Sequence, residues 1–172
     1  PTLTNNTISN VSLMAIALLP ETLPATATFP KRALGGFDPI GYYVYSPMTI
    51  PNGVTITVQP NTVFKTNSGG VFNVQGRLDV LGTLTQPAVF TTVTDDAYGL
   101  PPDMNQDGSS TLPTVTGATY INFLAISDNA SVVEHALFRF GSAGVQTVSA
   151  APRIRRSTFE RCEWGVSSSG VE

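Results

Sequence analysis

The last forty residues repeat themselves. Val133 to Gln146, VEHALFRFGSAGVQ, aligns with Ile154 to Ser167, IRRSTFERCEWGVS, at a single offset of 21 residues. Val133 then meets Ile154, Ala136 meets Ser157, Phe138 meets Phe159, Gly144 meets Gly165 and Val145 meets Val166. A unit of about 20 residues is too short to close its own core, so it must bury its apolar face against the next copy; that restricts the chain to stacked-repeat architectures.

Upstream, VTITVQPNTVFKTNSGG (Val54 to Gly70) is followed by VFNVQGRLDVLGTLTQPA (Val71 to Ala88) and by VFTTVT from Val89. The starts Val54, Val71 and Val89 suggest a repeat of 17 to 18 residues there. Each unit holds runs of four to six Val, Ile, Leu, Phe and Thr broken by Gly, Pro or Asn, the pattern of short strands joined by turns, with no helix. The LxxLxLxxN spacing of a leucine-rich repeat is absent, which leaves a β-solenoid. The expected fold is all-β, a parallel β-helix with an N-terminal lead-in or cap over residues 1–41, coils over 42–172 and one inserted loop at about 94–118. If each repeat is one coil, matched positions stack at ~4.8 Å. Val133 on Ile154, Phe138 on Phe159 and Gly144 on Gly165 become an interior ladder. The same register sets Glu134 beside Arg155 and Arg139 beside Glu160, both opposite in sign. Exposed pairs of that kind contribute ~0.2 to 1 kcal/mol each and serve register more than stability.

Composition agrees with a secreted β-rich chain: 41% hydrophobic residues are enough for a core, and only 12% are charged. A net charge of −3 and no Lys or Arg run exclude nucleic acid as a partner. The single Cys162 excludes an internal disulfide framework. No segment reaches the ~18 apolar residues of a membrane span. VSLMAIALLP (Val11 to Pro20) has no basic flank before it and is expected to be a buried strand or short helix rather than a signal peptide. A start at Pro1 and a stop at Glu172 inside a repeat suggest a piece of something longer.

The phrases MTIPNGVTITVQPNTVFK, LDVLGTLTQPAVFTT, VVEHALFRFGSAGV and RIRRSTFERCEWGV resemble the right-handed parallel β-helix repeat proteins of bacterial surfaces, which have the pectin-lyase-like fold. The resemblance covers roughly Tyr42 to Val171. Asn61 stands where that family has Gly, and the lead-in before Tyr42 is longer than usual. The resemblance implies an extracellular or cell-surface location.

DDAYGLPPDMNQDGSSTLP, Asp95 to Pro113, is the most acidic and least apolar stretch of the chain, and it separates two strands by more than an ordinary turn. Asp103, Asn105, Asp107 and Gly108 spell DxNxDG, the first half of a calcium loop with side-chain oxygens at positions 1, 3 and 5. Position 7 offers the Ser109 carbonyl, while position 12 is Thr114, so the closing Glu of an EF-hand is missing. Asp95 or Asp96, at the loop entrance, is the expected replacement. An all-oxygen set without His or Cys favours Ca²⁺, and the family resembled carries similar excursions.

No catalytic residues are assigned. Glu134 and Glu160 already have partners in the register, the arginines of the last coil suit a solvated face, and His135, stacked on Arg156, suits a turn. The expected function is a non-enzymatic extracellular module of a larger bacterial surface or secreted protein, a scaffold, stalk or adhesin with a calcium-pinned loop. The alternative is the N-terminal part of a polysaccharide lyase or glycoside hydrolase, since enzymes share this fold. Expected partners are the remainder of the chain or a covering protein at the last coil, and a glycan or another surface protein.

Overall fold

A computed structural model describes residues 3–170. The chain is all strand and turn, wound into about six turns whose strands stack into three parallel sheets. The first turn holds β1 (Ile16–Leu18), a bridge from Thr22 to Thr49, and β2 (Ala27–Phe29). An antiparallel hairpin, β3 (Arg32–Leu34) and β4 (Phe37–Ile40), follows outside the stack. The next turns are β5 (Tyr42–Val44), β6 (Met48–Ile50) and β7 (Thr55–Val58), then β8 (Val63–Thr66), β9 (Phe72–Val74) and β10 (Arg77–Leu81). After them come β11 (Ala88–Thr92), β12 (Thr119–Phe123) and β13 (Val132–Glu134), and β14 (Ala136–Arg139), β15 (Ala143–Val148) and β16 (Arg153–Arg155). β17 (Thr158–Glu160) and β18 (Trp164–Ser169) finish the described chain.

Sheet A runs β1, β5, β8, β11, β14, β17; sheet B runs β6, β9, β12, β15, β18; sheet C runs β2, β7, β10, β13, β16. Alternation selects what goes inside: Ile56 and Val58 of β7 are buried while Thr55 and Thr57 face out. The register sets Arg77 on Thr55 and Leu78 on Ile56, so one coil takes more than the 17 to 18 residues suggested by Val54, Val71 and Val89. Val54 and Val71 immediately precede β7 and β9 and Val89 lies in β11, strands of three different sheets, so matching them compares successive faces instead of successive coils. The 21-residue offset is a true coil: Val133 pairs with Ile154, Phe138 with Phe159 and Val145 with Val166.

One other expectation changes. The segment Val11 to Pro20 is not buried; only Ile16–Leu18 is a strand, lying half-exposed on the open side of β5. Strands β1 and β2 also carry sheets A and C into residues 1–41. The corners are built from left-handed residues that recur turn after turn, His135 and Arg156 (φ 48° and 51°) and Phe140 and Arg161 (58° and 53°). Each non-glycine residue in that region costs about 1 kcal/mol, which the ladders on either side offset. Asn61 has φ 59°, a conformation Asn tolerates better than most.

Inside, rings stack along sheet A from Tyr42 through Phe64, Phe90 and Phe138 to Phe159, with centroids 5.4, 5.2, 4.9 and 5.1 Å apart. Gly144 clears the way for the last of them: a Cβ there would stand 2.5 Å from the Phe159 ring. Gly165, the next rung, also faces that ring.

Candidate metal centre

Strands β8 and β11 are buried on both faces, which a lateral solenoid strand should not be. The cause is the excursion between β11 and β12, which folds back over sheet A. Its Tyr98 packs on the outward-facing Val63, Val89 and Leu137. Beside that patch the outward column reads Lys65, Thr91, Arg139 and Glu160. The excursion is anchored on these residues. The fully buried Lys65 donates from Nζ to the carbonyls of Asp95 (2.7 Å) and Pro102 (2.6 Å). Burial pulls its ammonium down to a pKa of about 8 against the attraction of Asp95, Asp96 and Asp103.

Asp95 and Asp96 point to different tasks. Asp95 is buried and accepts two hydrogen bonds from Arg139 Nη1 (2.8 and 2.7 Å) and one from the Thr91 hydroxyl (2.6 Å). Its charge is consumed by Arg139, whose guanidinium also lies over the rings of Tyr98 and Phe140. Of the two aspartates expected at the loop entrance, Asp95 is thus paired with Arg139 and lies outside the carboxylate cluster. Arg139 Nε also lies 3.2 Å from Glu160 Oε2, off the hydrogen-bonding direction, so Glu160 attracts it without sharing a proton.

Asp96 turns the other way and joins Asp103 and Asp107, with one carboxylate oxygen from each within 4.8 Å of the others. Ligands on opposite sides of one Ca²⁺, at 2.3–2.6 Å each, stand about that far apart. Hydrogen bonds fix the rest of the loop. Asp103 caps the N–H groups of Asp107 (3.1 Å) and Gly108 (2.9 Å). Asp107 accepts from the N–H groups of Ser109, Ser110 and Thr111 and from the Thr111 hydroxyl, which together hold its carboxyl below the usual range. Burial and the neighbouring Asp103 push Asp96 above it. Asn105 donates to Asp107 Oδ2 at 2.8 Å. Two oxygens, Asp96 Oδ1 and Asn105 Oδ1, are buried and receive no hydrogen bond, an arrangement that costs free energy unless a cation completes it. Ser109 is exposed, and its N–H is spent on Asp107.

Comparison with protein-family models, curated proteins and solved structures finds no match. The site is therefore described from its own residues. Asp96, Asp103, Asp107 and Asn105 are brought together; Asp95 is not. The residue that sequence reasoning missed is Lys65, an ordinary-looking lysine in VFKT whose burial depends on a loop some thirty residues away.

Other strand charges also form pairs. Glu134 binds Arg155 (2.8 Å) and Arg156 (3.0 Å), and Arg77 chelates Asp79 through Nε (3.0 and 2.9 Å). One outward column of sheet B is wholly uncharged: Thr49, Asn73, Asn122, Gln146 and Ser167.

Proposed function

We propose that this chain is a non-enzymatic module of an extracellular or cell-surface protein of bacterial type, a scaffold, stalk or adhesin, whose acidic excursion holds Ca²⁺. The observation that carries the metal half is a charge balance. Asp95 is cancelled by Arg139, and the three clustered carboxylates face one ammonium, Lys65, which leaves two negative charges beside two undonated buried oxygens. That is the deficit a hard divalent cation fills, with oxygen donors suited to Ca²⁺. Asp96, Asp103, Asp107 and Asn105 are the proposed ligands. The scaffold half is supported by the lateral strands, where acids and bases are joined in ion pairs. Further turns or a covering protein would dock on the last turn, where Trp164 is 57% and Val166 46% exposed.

The test is calorimetric titration of Ca²⁺ and Mg²⁺ into the chelator-treated chain, with melting recorded in each state. One Ca²⁺ per chain, a raised melting midpoint, and loss of both in Asp103→Asn/Asp107→Asn are expected. No heat of binding and no shift would remove calcium from the reading. Steady cleavage of a uronate polymer by the chain would replace the scaffold with an enzyme.

A further inference from the structure

The excursion does more than cover sheet A, because its far side reaches the beginning of the chain. Met104 O accepts the N–H of Met14 (2.9 Å), and Gln106 Nε2 donates to Val11 O (2.5 Å). The Met104 side chain is itself buried and sits on Gly41; a Cβ added at that glycine would stand 2.5 Å from Met104 Cε. Gly41 is the residue immediately before β5, and its carbonyl accepts the N–H of Ile16, the first residue of β1. At the other end of the same contact, the Tyr45 N–H donates to Leu18 O at 3.2 Å.

Strand β1 is held by its ladder with β5 and by Ile16 and Leu18, which pack half-exposed on the end of the core. It is three residues long, no residue of it is fully buried, and among the described residues it has one strand neighbour, β5. So short a strand on a sheet edge is marginal by itself. Just before it, Val11 and Met14 are bonded to the excursion, which is anchored deep in the sheet: Lys65 holds Pro102 O, two residues before Met104.

We infer that the excursion is a clasp that keeps the first turn of the solenoid docked, with Met104 on Gly41 as its catch. The line of contact runs from the buried Lys65 through Pro102 and Met104 to Met14 and Gly41, and from Gly41 to Ile16. Release of the catch frees β1 and uncovers the edge of β5, while the turns beyond, each held by its own neighbours, stay closed. Repeat stacks need their end turns secured, and here an insertion from a middle turn does it. The clasp depends on no bound ion.

The test is residue-resolved hydrogen exchange on the full chain and three variants: Met104→Ala, Gly41→Ala and the two combined. Gly41 has ordinary backbone angles, so its added methyl acts by displacing the flexible end of Met104. The Ile16 and Tyr45 amides are expected to exchange at least tenfold faster in either single variant, with the double variant no faster than Met104→Ala alone. The amides of β11 and β14 should not change. Gln106→Ala, at an exposed position, is the milder check and should move the same two amides in the same direction. Unchanged Ile16 and Tyr45 amides in the folded variants overturn the clasp. Equal acceleration through β8, β11 and β14 also overturns it, by making Met104 ordinary packing.

Discussion

At the scale of single residues, Phe138 and Glu134 show what the repeat does. Phe138 is fully buried between Phe90 and Phe159, so neither neighbour can close the space it leaves. Phe138→Ala should cost about 3–5 kcal/mol in urea unfolding, and a loss under 1 kcal/mol would mean that the ladder is loosely packed. Glu134 shows the charge side of the same register. Burial raises its carboxyl, but Arg155 and Arg156 outweigh that and leave it below the ordinary range. A depressed folded-state value means the stabilisation is complete above the unfolded-state value and is lost as pH falls through the folded one. The midpoint difference between wild type and Glu134→Gln should therefore be present near pH 7 and shrink as the pH falls below the ordinary carboxylate range. Both contacts were legible in the sequence because no insertion separates those two turns. Tyr42, Phe64 and Phe90 belong to the same ladder but were missed, since turns of unequal length erase a constant offset.

At the scale of elements, the excursion divides its work between adjacent aspartates. Asp95 faces the sheet and Arg139; Asp96 faces the loop and two further carboxylates. The sequence located the acidic loop and its DxNxDG turn from spacing alone, but it could not assign the two aspartates. Which of them turns inward is decided by Arg139, 44 residues further on and one turn away. The consequence is testable by separating the roles. Asp95→Asn leaves a nearly buried guanidinium with only the half-exposed Glu160 as a carboxylate partner. Removing one member of a buried pair costs about 3 kcal/mol, and the loss should loosen the excursion first. Thermolysin should then cut beside the exposed Leu112 much faster than in the wild type, with or without calcium. Asp96→Asn should instead abolish the calcium response and leave cutting in chelator unchanged. If the two variants behave alike, the division between inner anchor and outer ion site is wrong.

At the scale of the whole molecule, a solenoid of nearest-neighbour contacts should survive loss of the excursion, because the sheets do not pass through it. What it cannot keep is the environment of Lys65. With 96–116 replaced by a short Gly/Ser linker, the ammonium meets water and its pKa should climb from about 8 back toward 10.5. In the intact chain the folded state gives up that proton at about 8, while the unfolded state holds it to 10.5. Between those values the unfolded chain binds more protons, so stability rises with pH. The intact chain should thus gain on the deletion variant by about 2 kcal/mol between about pH 8 and 9.5. Cys162 is present in both chains and drops out of the difference. Denaturation midpoints across that window measure it directly. Parallel curves would mean that Lys65 is solvated in the native protein, and with it would go both the inner anchor of the excursion and the charge balance that favours a divalent ion.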